Sequence, residues 1–586
     1  MNKVPIRADV TIRLAAPFHV GGGKGGSSTS SYLVRDGNGA PYWPGSAFKG
    51  KVRHYARLLY EGASADNKCE FEHCIENFGS GGESGNDESV TSCACMVCSM
   101  FGTAGNSKGN LLFGDMTPEA DEISTEMRTG NAIDRYRRTA KDESLFQIET
   151  ASVDVLTGQI TGMLSKDNYD EECELLKAAI EAIQYIGGNT GRGLGWIKED
   201  GIEVNICKEK GLKLPSVETE SPTHVKLSVT ITTESPLLIG ARTSESNFRT
   251  TLQHIPGAVV RAALAQALIA QDGGAEKNKI NWVDDKGGAG QFPSLRRAFG
   301  SLQITQFLPK GCRIAPMTAS HFKYGDYKDK SFDTLFGGAQ NDEPTERVKG
   351  FIDIQGELSN PHNTMVVTKS AMNRFSGTSQ DEMLFSMEVI SPPAIFEGTI
   401  SGEFEPEEFE RLIAKGIQVG GYQTAGYGRC SVEFAKLENT CKDIGKKELN
   451  ERIKACDGKI PITLLSDAIV SLESAADISD ESYLQAYQEA LFADWQDIKV
   501  TKVVAQHAEW RGFDTSKSKG FLNEPVHVIK AGSVFLLEPT ECSDMDALIE
   551  KMYTLQETGI CQEKMHNFNG YGQVVVADEY HLQGGF

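Results

Sequence analysis

The chain has 586 residues, 24% of them charged, with a formal net charge of −22, a composition ordinary for a globular protein with room for three to four compact domains. No run is long or apolar enough to span a membrane, and the start passes into a strand pattern without a signal-peptide core, so we expect neither a membrane span nor a leader. The acidic balance counts against indiscriminate coating of nucleic acid, which needs clustered Lys and Arg, although local grouping can override a global sum.

In chain order, Val10, Ile12 and Leu14 alternate with polar residues, the period of a half-buried strand. A Gly/Ser loop from Gly21 to Ser30 follows, and then Pro44-Gly45-Ser46, after which Phe48, Val52, Tyr55 and Leu59 fall at helical spacing with Ser46 available as a cap. Lys49, Lys51, Arg53 and Arg57 lie on or beside the remaining face of this helix. The stretch Asn131–Lys141 gathers Arg135, Arg137, Arg138 and Lys141 around Tyr136, a basic run with an aromatic that can stack or wedge. Leu175, Leu176, Ala179, Ile180 and Ile183 predict a second helix, which feeds the loop Gly187-Gly188-Asn189-Thr190-Gly191-Arg192-Gly193-Leu194-Gly195. Strand, helix, middle strands, helix, Gly loop and strand is the order of a ferredoxin-like β-α-β-β-α-β unit. We place this first module at residues 1–215.

A polar linker precedes a second module at residues 223–440. Val225, Leu227, Val229 and Ile231 alternate, Pro256-Gly257 opens a helix through Val260, Leu264, Ala267 and Leu268, and Phe409, Leu412, Ile413 and Ile417 precede Gly420 to Gly428. Arg261 sits on the helix after Pro256-Gly257, and Lys369 to Gly377, including Arg374, is a weaker counterpart of the first basic stretch. Residues 441–586 form a third, shorter unit with Gly570-Tyr571-Gly572 before Val574-Val575-Val576. The expected fold class is therefore α+β, with tandem ferredoxin-like (RRM-like) domains and glycine-rich loops.

The same signals recur in the same order at roughly 210–240 residues, so the period is a whole domain. Backbone N–H groups of Gly191, Gly193, Gly195, Gly426 and Gly428 and of helix starts can meet phosphates where side chains would obstruct. Lys49, Lys51, Arg53, Arg192 and Arg261 add charge that follows a backbone without reading sequence. The plainer alternatives are that Gly-x-Gly is a tight turn and that the basic faces are solvated.

Thirteen cysteines, several of them clustered, point to metal binding in a reducing cytoplasm rather than to disulfides. Cys69 and Cys74 are followed, after a Gly/Ser/acidic stretch, by Cys93, Cys95 and Cys98. Two thiolate groups joined by a loop can supply the tetrahedral sulfur set of a closed structural zinc site. Five cysteines and His73 exceed the four positions required. Cys95 and Cys98 with Cys69 and Cys74 are favoured, with Cys93 as an alternate.

Several ordered motifs resemble a known family. Phe18 to Gly23, Val34-Arg35-Asp36, Tyr42 to Arg53, Asn131 to Arg135 and the Gly188 to Gly195 loop resemble the backbone subunit of type III CRISPR effector complexes, in the RAMP superfamily. Pro236 to Gly240, Ile255-Pro256-Gly257, Arg511-Gly512-Phe513-Asp514 and Ala531 to Phe535 resemble a second RAMP type, the type III-D subunit related to the Cas-five group. The resemblance implies a backbone module with a zinc-binding insertion (about 66–100) and a thumb (about 128–150) that pushes between bases of the guide–target duplex. It is fused to a Cas-five-like module, of which residues 441–586 are the second ferredoxin-like half, capping the 5′ end of a guide RNA. It also implies a cytoplasmic antiviral ribonucleoprotein. Its partners are guide RNA, complementary target RNA, a large polymerase/cyclase-type subunit, further backbone subunits and a small helical subunit.

Active backbone subunits of the family cut target RNA with an aspartate six residues before the position of Asp36, and that position here is Ser30. A serine, flanked by Thr29 and Ser31, cannot serve as the carboxylate. We therefore expect a non-catalytic RNA-binding subunit. The alternative is an RNA endonuclease using Glu245, His54 or His254.

Overall fold

The computed structural model describes residues 3–24, 30–36, 39–64, 93, 95–103, 107–119, 123–208, 224–241, 248–271, 291–325, 328–337, 344–372, 379–437, 442–470, 480–493, 495–510, 513–514, 521–522, 526–540 and 544–582. Three ferredoxin-like units follow one another along it.

The first unit comprises β1 (Lys3–Leu14), α1 (Gly45–Ala63), β2 (Leu111–Phe113), a long hairpin of β3 (Ser124–Ile133) and β4 (Ala140–Ser152), β5 (Val155–Ser165), α2 (Tyr169–Glu181) and β6 (Ile197–Lys208). Its main sheet is antiparallel in the order β6-β1-β5-β2, with Val10 opposite Gly158 on one side and Val204 on the other. The expected alternation holds, since Ile6, Ala8, Val10 and Ile12 are buried. The helices cover that face with Phe48, Val52 and Ala56 of α1 and Leu176, Ala179 and Ile180 of α2. Residues spaced by four share one side of a helix, so both helices bury a single stripe.

The second unit repeats the plan with β7 (His224–Thr233), α3 (Gly257–Gln271), β8 (Gln303–Ile304), a second hairpin of β9 (Thr364–Met372) and β10 (Ser379–Ile390), β11 (Ile395–Glu403), α4 (Pro406–Ile413) and β12 (Arg429–Lys436). Its sheet runs β8-β11-β7-β12. The last unit holds β13 (Ile460–Leu464), α5 (Asp480–Phe492), β14 (Ile498–Val504), β15 (Val534–Pro539), α6 (Met545–Thr558) and β16 (Val574–Val576), with sheet order β14-β15-β13-β16. In each case the first strand is central, between the third and the fourth. Although its sequence reads as shorter, the last unit carries a complete sheet and its own core, built on Ile460, Ile462, Tyr487, Phe535, Leu548 and Met552.

Residues between β8 and β9 form small sheets that the sequence pattern does not announce. They dock on the last unit: Arg313 pairs with Asp578 at 2.8 Å, the Tyr580 hydroxyl donates to Ser331 at 2.9 Å, and the Met317 amide donates to the Gly532 carbonyl at 2.6 Å.

Glycine turns join the units head to tail. Gly426, just before β12, lies against the first unit. A Cβ there would come 2.8 Å from the Phe113 carbonyl oxygen and 3.1 Å from an Asp115 carboxylate oxygen, with the Gly45 Cα at 3.5 Å. Gly570, just before β16, meets the second unit in the same way, and its Cβ would sit 2.6 Å from the Ile304 carbonyl oxygen. A Cβ on Gly257 would in turn come 2.7 Å from the Asn569 carbonyl oxygen.

Asp115 lies at the first of these joints. It accepts the Gly45 N–H at 2.6 Å. Burial pushes its carboxyl up to about 6, although the Gly45 amide, Lys369 and Arg429 pull it down. Lys369 stands 4.4 Å over the Tyr427 ring, and burial pushes its ammonium down to about 8, with Asp115 opposing. A carboxyl raised from 3.8 stabilises the fold most fully below about pH 4, and that contribution is lost as pH rises through about 6. The stability of the wild type relative to Asp115→Asn should therefore fall by on the order of 3 kcal/mol between about pH 4 and about pH 7. Thermal unfolding of both proteins across that range measures it, and a difference that does not change with pH would remove Asp115 as the titrating group.

Candidate nucleic-acid interface

The hairpin β3–β4 reaches away from the first sheet, with Thr129 paired to Gln147 and Met127 to Glu149. Nearly every residue of β3 is exposed. Its turn is fixed from within. The Asp134 carboxylate accepts the amides of Tyr136 at 2.8 Å and Arg137 at 3.0 Å, and these two bonds hold its carboxyl below its ordinary value. The Arg138 amide donates to the Asp134 carbonyl, and Arg138 itself takes the left-handed region at φ 56°. Arg135, Arg137 and Arg138 are all exposed at this tip, and Tyr136 is 99% exposed.

From the middle of the hairpin, where Phe146 pairs with Gly130, aromatic and cationic side chains meet in pairs. The Arg192 guanidinium lies 4.7 Å over the Phe146 ring of β4, and the Lys51 ammonium of α1 lies 3.7 Å over Tyr185. Tyr185 packs against Trp196 with ring centroids 5.8 Å apart, and the Trp196 indole N–H donates to the Thr190 carbonyl at 3.0 Å. Burial lowers the affinity of Lys51 for its proton. Phe146, Tyr185 and Trp196 escaped the sequence reading because they are far apart along the chain. An aromatic directly after Gly-x-Gly was the available signal for Trp196.

The other expected contacts scatter. Lys49 is half-buried on α1. Arg53 turns inward, donating to the Gly102 carbonyl at 2.7 Å with its second nitrogen 3.9 Å from the Cys98 sulfur. Arg261 is held between the second and third units, donating to the Asn569 side chain at 2.6 Å, the Phe299 carbonyl at 2.5 Å and the Phe568 carbonyl at 2.8 Å, as well as to the Leu302 carbonyl. Gly195 and Gly428 are internal, since a Cβ on them would lie 2.0 Å from the Ile186 oxygen and 1.9 Å from the Val419 oxygen. Gly426 faces the first unit, as described. By contrast, Gly191 and Gly193 have no atom within 4 Å of a Cβ position. Arg374, Glu245, Cys69, His73 and Cys74 lie outside the described residues.

Around the position of the missing aspartate, Ser30 starts a short strand that runs parallel to β4, opposite Gln147. The neighbouring Ser31 hydroxyl is 3.2 Å from His19 Nε2, and His19 Nδ1 is 2.7 Å from the Glu149 carbonyl oxygen. The Glu149 carboxylate is engaged by the Leu33 amide at 2.9 Å and by Arg35 at 2.5 Å. His54 is exposed on α1 with its ring beside Tyr55. Burial pushes His254 down to about 4, far from the range of an efficient general base at neutral pH.

Cys93, Cys95 and Cys98 come together, their sulfur atoms all within 4.8 Å of one another. Cys95 caps the short helix Met96–Phe101 and accepts the Cys98 amide at 3.4 Å. This triad can hold a metal ion. It brings Cys93, which the spacing ranked as an alternate, into the set beside Cys95 and Cys98.

The RAMP superfamily signature matches residues 11–198 and 230–431, about two thirds of the chain and most of the first and second units. No curated protein matches the chain. The sheet order, the paired hairpins and these two matches define a class of RNA-binding, CRISPR-associated proteins built from ferredoxin-like folds. The chain belongs to the RAMP superfamily. The last unit lies beyond both matched stretches yet has the same strand order. Among the described residues, no helix is long and apolar enough to cross a membrane.

Metal analysis of the purified protein should return about one bound divalent ion per chain, and Cys95→Ser with Cys98→Ser should remove it. Chelation should also lower the melting temperature, because the free energy of binding at a structural site adds to that of folding. Metal content unaffected by the double substitution would refute this.

Proposed function

We propose that the protein is a non-catalytic guide-RNA-binding subunit of a type III CRISPR ribonucleoprotein acting in antiviral defence. Residues 1–215 serve as a backbone module, and residues 223–586 as a Cas-five-like module capping the 5′ end of the guide. The observation that carries this reading is the hairpin tip, where three arginines and an almost fully exposed tyrosine sit on a turn held by Asp134. The arginines neutralise phosphates, which gives affinity without sequence preference. Tyr136 supplies a flat apolar face that stacks on or separates bases of the guide paired with its target. The Lys51, Tyr185, Trp196 and Arg192 strip continues the same chemistry toward the hairpin base. The metal in the cysteine cluster is a structural zinc, its fourth position filled by sulfur from Cys69 or Cys74, and a closed thiolate set leaves no position for catalysis.

Support for a subunit that does not cut comes from Ser30 at the matched position, from the engagement of Glu149 by Arg35, and from the lowered basicity of His254. In a reconstituted complex, the products from a labelled target should show a gap opposite the first module. A cut there that persists when every other backbone subunit is inactivated would sink the non-catalytic reading.

The hairpin is tested separately. Replacing Arg135, Arg137 and Arg138 together by Ala should weaken guide binding by roughly ten- to a hundredfold at about 0.1 M salt. It should also flatten the plot of log affinity against log salt by about 2, as expected when about three phosphate contacts to a single strand are lost. Fluorescence anisotropy with guides of unrelated sequence measures both. An unchanged slope would show that the tip does not touch the backbone.

A further inference from the structure

We propose that Arg53 is the charge-balancing partner of the metal–thiolate centre built on Cys93, Cys95 and Cys98, not an RNA contact, and that it joins this centre to helix α1. The inference rests on reading the cysteine cluster as a metal site.

Arg53 follows Lys51 by two residues on α1, and positions two apart on a helix do not share a side. Lys51 accordingly lies 3.7 Å over the Tyr185 ring, while Arg53 points into the fold toward the cysteines. One terminal nitrogen of Arg53 donates to the Gly102 carbonyl at 2.7 Å, and the other stands 3.9 Å from the Cys98 sulfur. The guanidinium thus reaches along the short helix Met96–Phe101, from Cys98 to the residue just past its end.

That helix is anchored independently of Arg53. Val97, Met100 and Phe101 are buried in the core of the first unit, and the Phe101 ring stacks on Phe113 with centroids 5.8 Å apart. The Asn110 amide donates to the Met100 carbonyl at 3.0 Å, and the Asn110 side chain donates to the Ser99 carbonyl at 2.8 Å. Beyond the helix, Gly109 closes on it so tightly that a Cβ there would come 2.5 Å from the Phe101 carbonyl oxygen. At Gly102 a neutral donor would satisfy the remaining carbonyl. Arg53 instead brings a full charge to a place where three sulfur atoms converge and Cys98 is only 3% exposed.

Positive charge is what a metal–thiolate centre needs. Thiolates around a divalent ion leave an excess of negative charge, which is strongly unfavourable to bury without a partner. A guanidinium supplies the opposite charge without competing for the metal, because it offers no lone pair and keeps its proton. The Cys98 amide already donates to the Cys95 sulfur at 3.4 Å, and Arg53 extends the same support to Cys98. As a phosphate contact, Arg53 would have to abandon both the Gly102 carbonyl and the sulfur. As a cap for Gly102 alone, its second nitrogen would have no reason to face Cys98.

The test compares the full chain loaded with zinc and stripped by a chelator. Zinc affinity, measured by competition with a chromophoric chelator, should fall roughly ten- to a hundredfold in Arg53→Met, as when a group behind a metal ligand is removed. Arg53→Gln, which keeps a donor for Gly102 but no charge, should bind zinc as weakly, whereas Arg53→Lys should recover part of the affinity. Thermal unfolding separates charge balance from the loss of one hydrogen bond. Arg53→Gln should lower the melting temperature of the loaded protein more than that of the stripped one, and the excess should vanish when Cys95→Ser and Cys98→Ser are also present. Wild-type zinc affinity in Arg53→Gln, or equal losses of melting temperature in loaded and stripped protein, would overturn the proposal and leave the metal reading intact. A wild-type chain that binds no zinc would overturn both.

Discussion

Close packing of bare glycine Cα atoms against carbonyl oxygens holds the three units in line. At Gly426 and Gly570 any side chain would collide with backbone, and backbone cannot yield as a flexible side chain can. Residues around the joints take their conformations from this contact. Lys369 at the second hairpin is held over Tyr427 and beside Asp115, and Arg261 spans the next joint with hydrogen bonds to four oxygens. Each joint is heterologous, with a loop on one side and a helix start with a strand exit on the other, and such contacts propagate in one direction.

The pattern-bearing parts of the fold could be read from sequence for a physical reason. A half-buried strand must alternate, as Val10 to Leu14 and Val225 to Ile231 do, and a helix that buries one stripe must repeat at three or four, as Phe48 and Val52 do, although Ala56 rather than the expected Leu59 continues the stripe and Leu59 is exposed. The small sheets between β8 and β9 are two to four residues long and have no period to show. Glycine was only half legible. Gly-x-Gly announces that a side chain is forbidden but is silent on what occupies the space. The phosphate reading and the protein reading of Gly426 are therefore identical in sequence, and only its neighbours Phe113, Asp115 and Gly45 in the first unit separate them.

Cations were ambiguous in the same way. Arg53, Arg135 and Arg261 all lie in basic or helical contexts that suit a phosphate backbone, yet their surroundings differ completely. Arg53 is turned toward the cysteine cluster and Arg261 is enclosed between units, whereas Arg135 stands in solvent at the tip of an arm. A guanidinium that satisfies carbonyl oxygens inside a fold is a structural group, because leaving those oxygens without partners costs on the order of 1–3 kcal/mol each. The large acidic excess of the chain is thus compatible with a local basic arm, since what an RNA backbone meets is the arm and not the sum.

The Asp134 turn has a consequence for the thermodynamics of that arm. A loop that must order itself on a ligand loses roughly 1–2 kcal/mol of backbone conformational entropy per residue at that moment. In this hairpin the turn is already fixed by the Asp134 carboxylate and by the Arg138 amide bond, and the flanking strands are paired along their length. What remains to be immobilised is the side-chain freedom of Arg135, Tyr136, Arg137 and Arg138. Association at the tip therefore carries a small ordering cost and responds chiefly to ionic conditions.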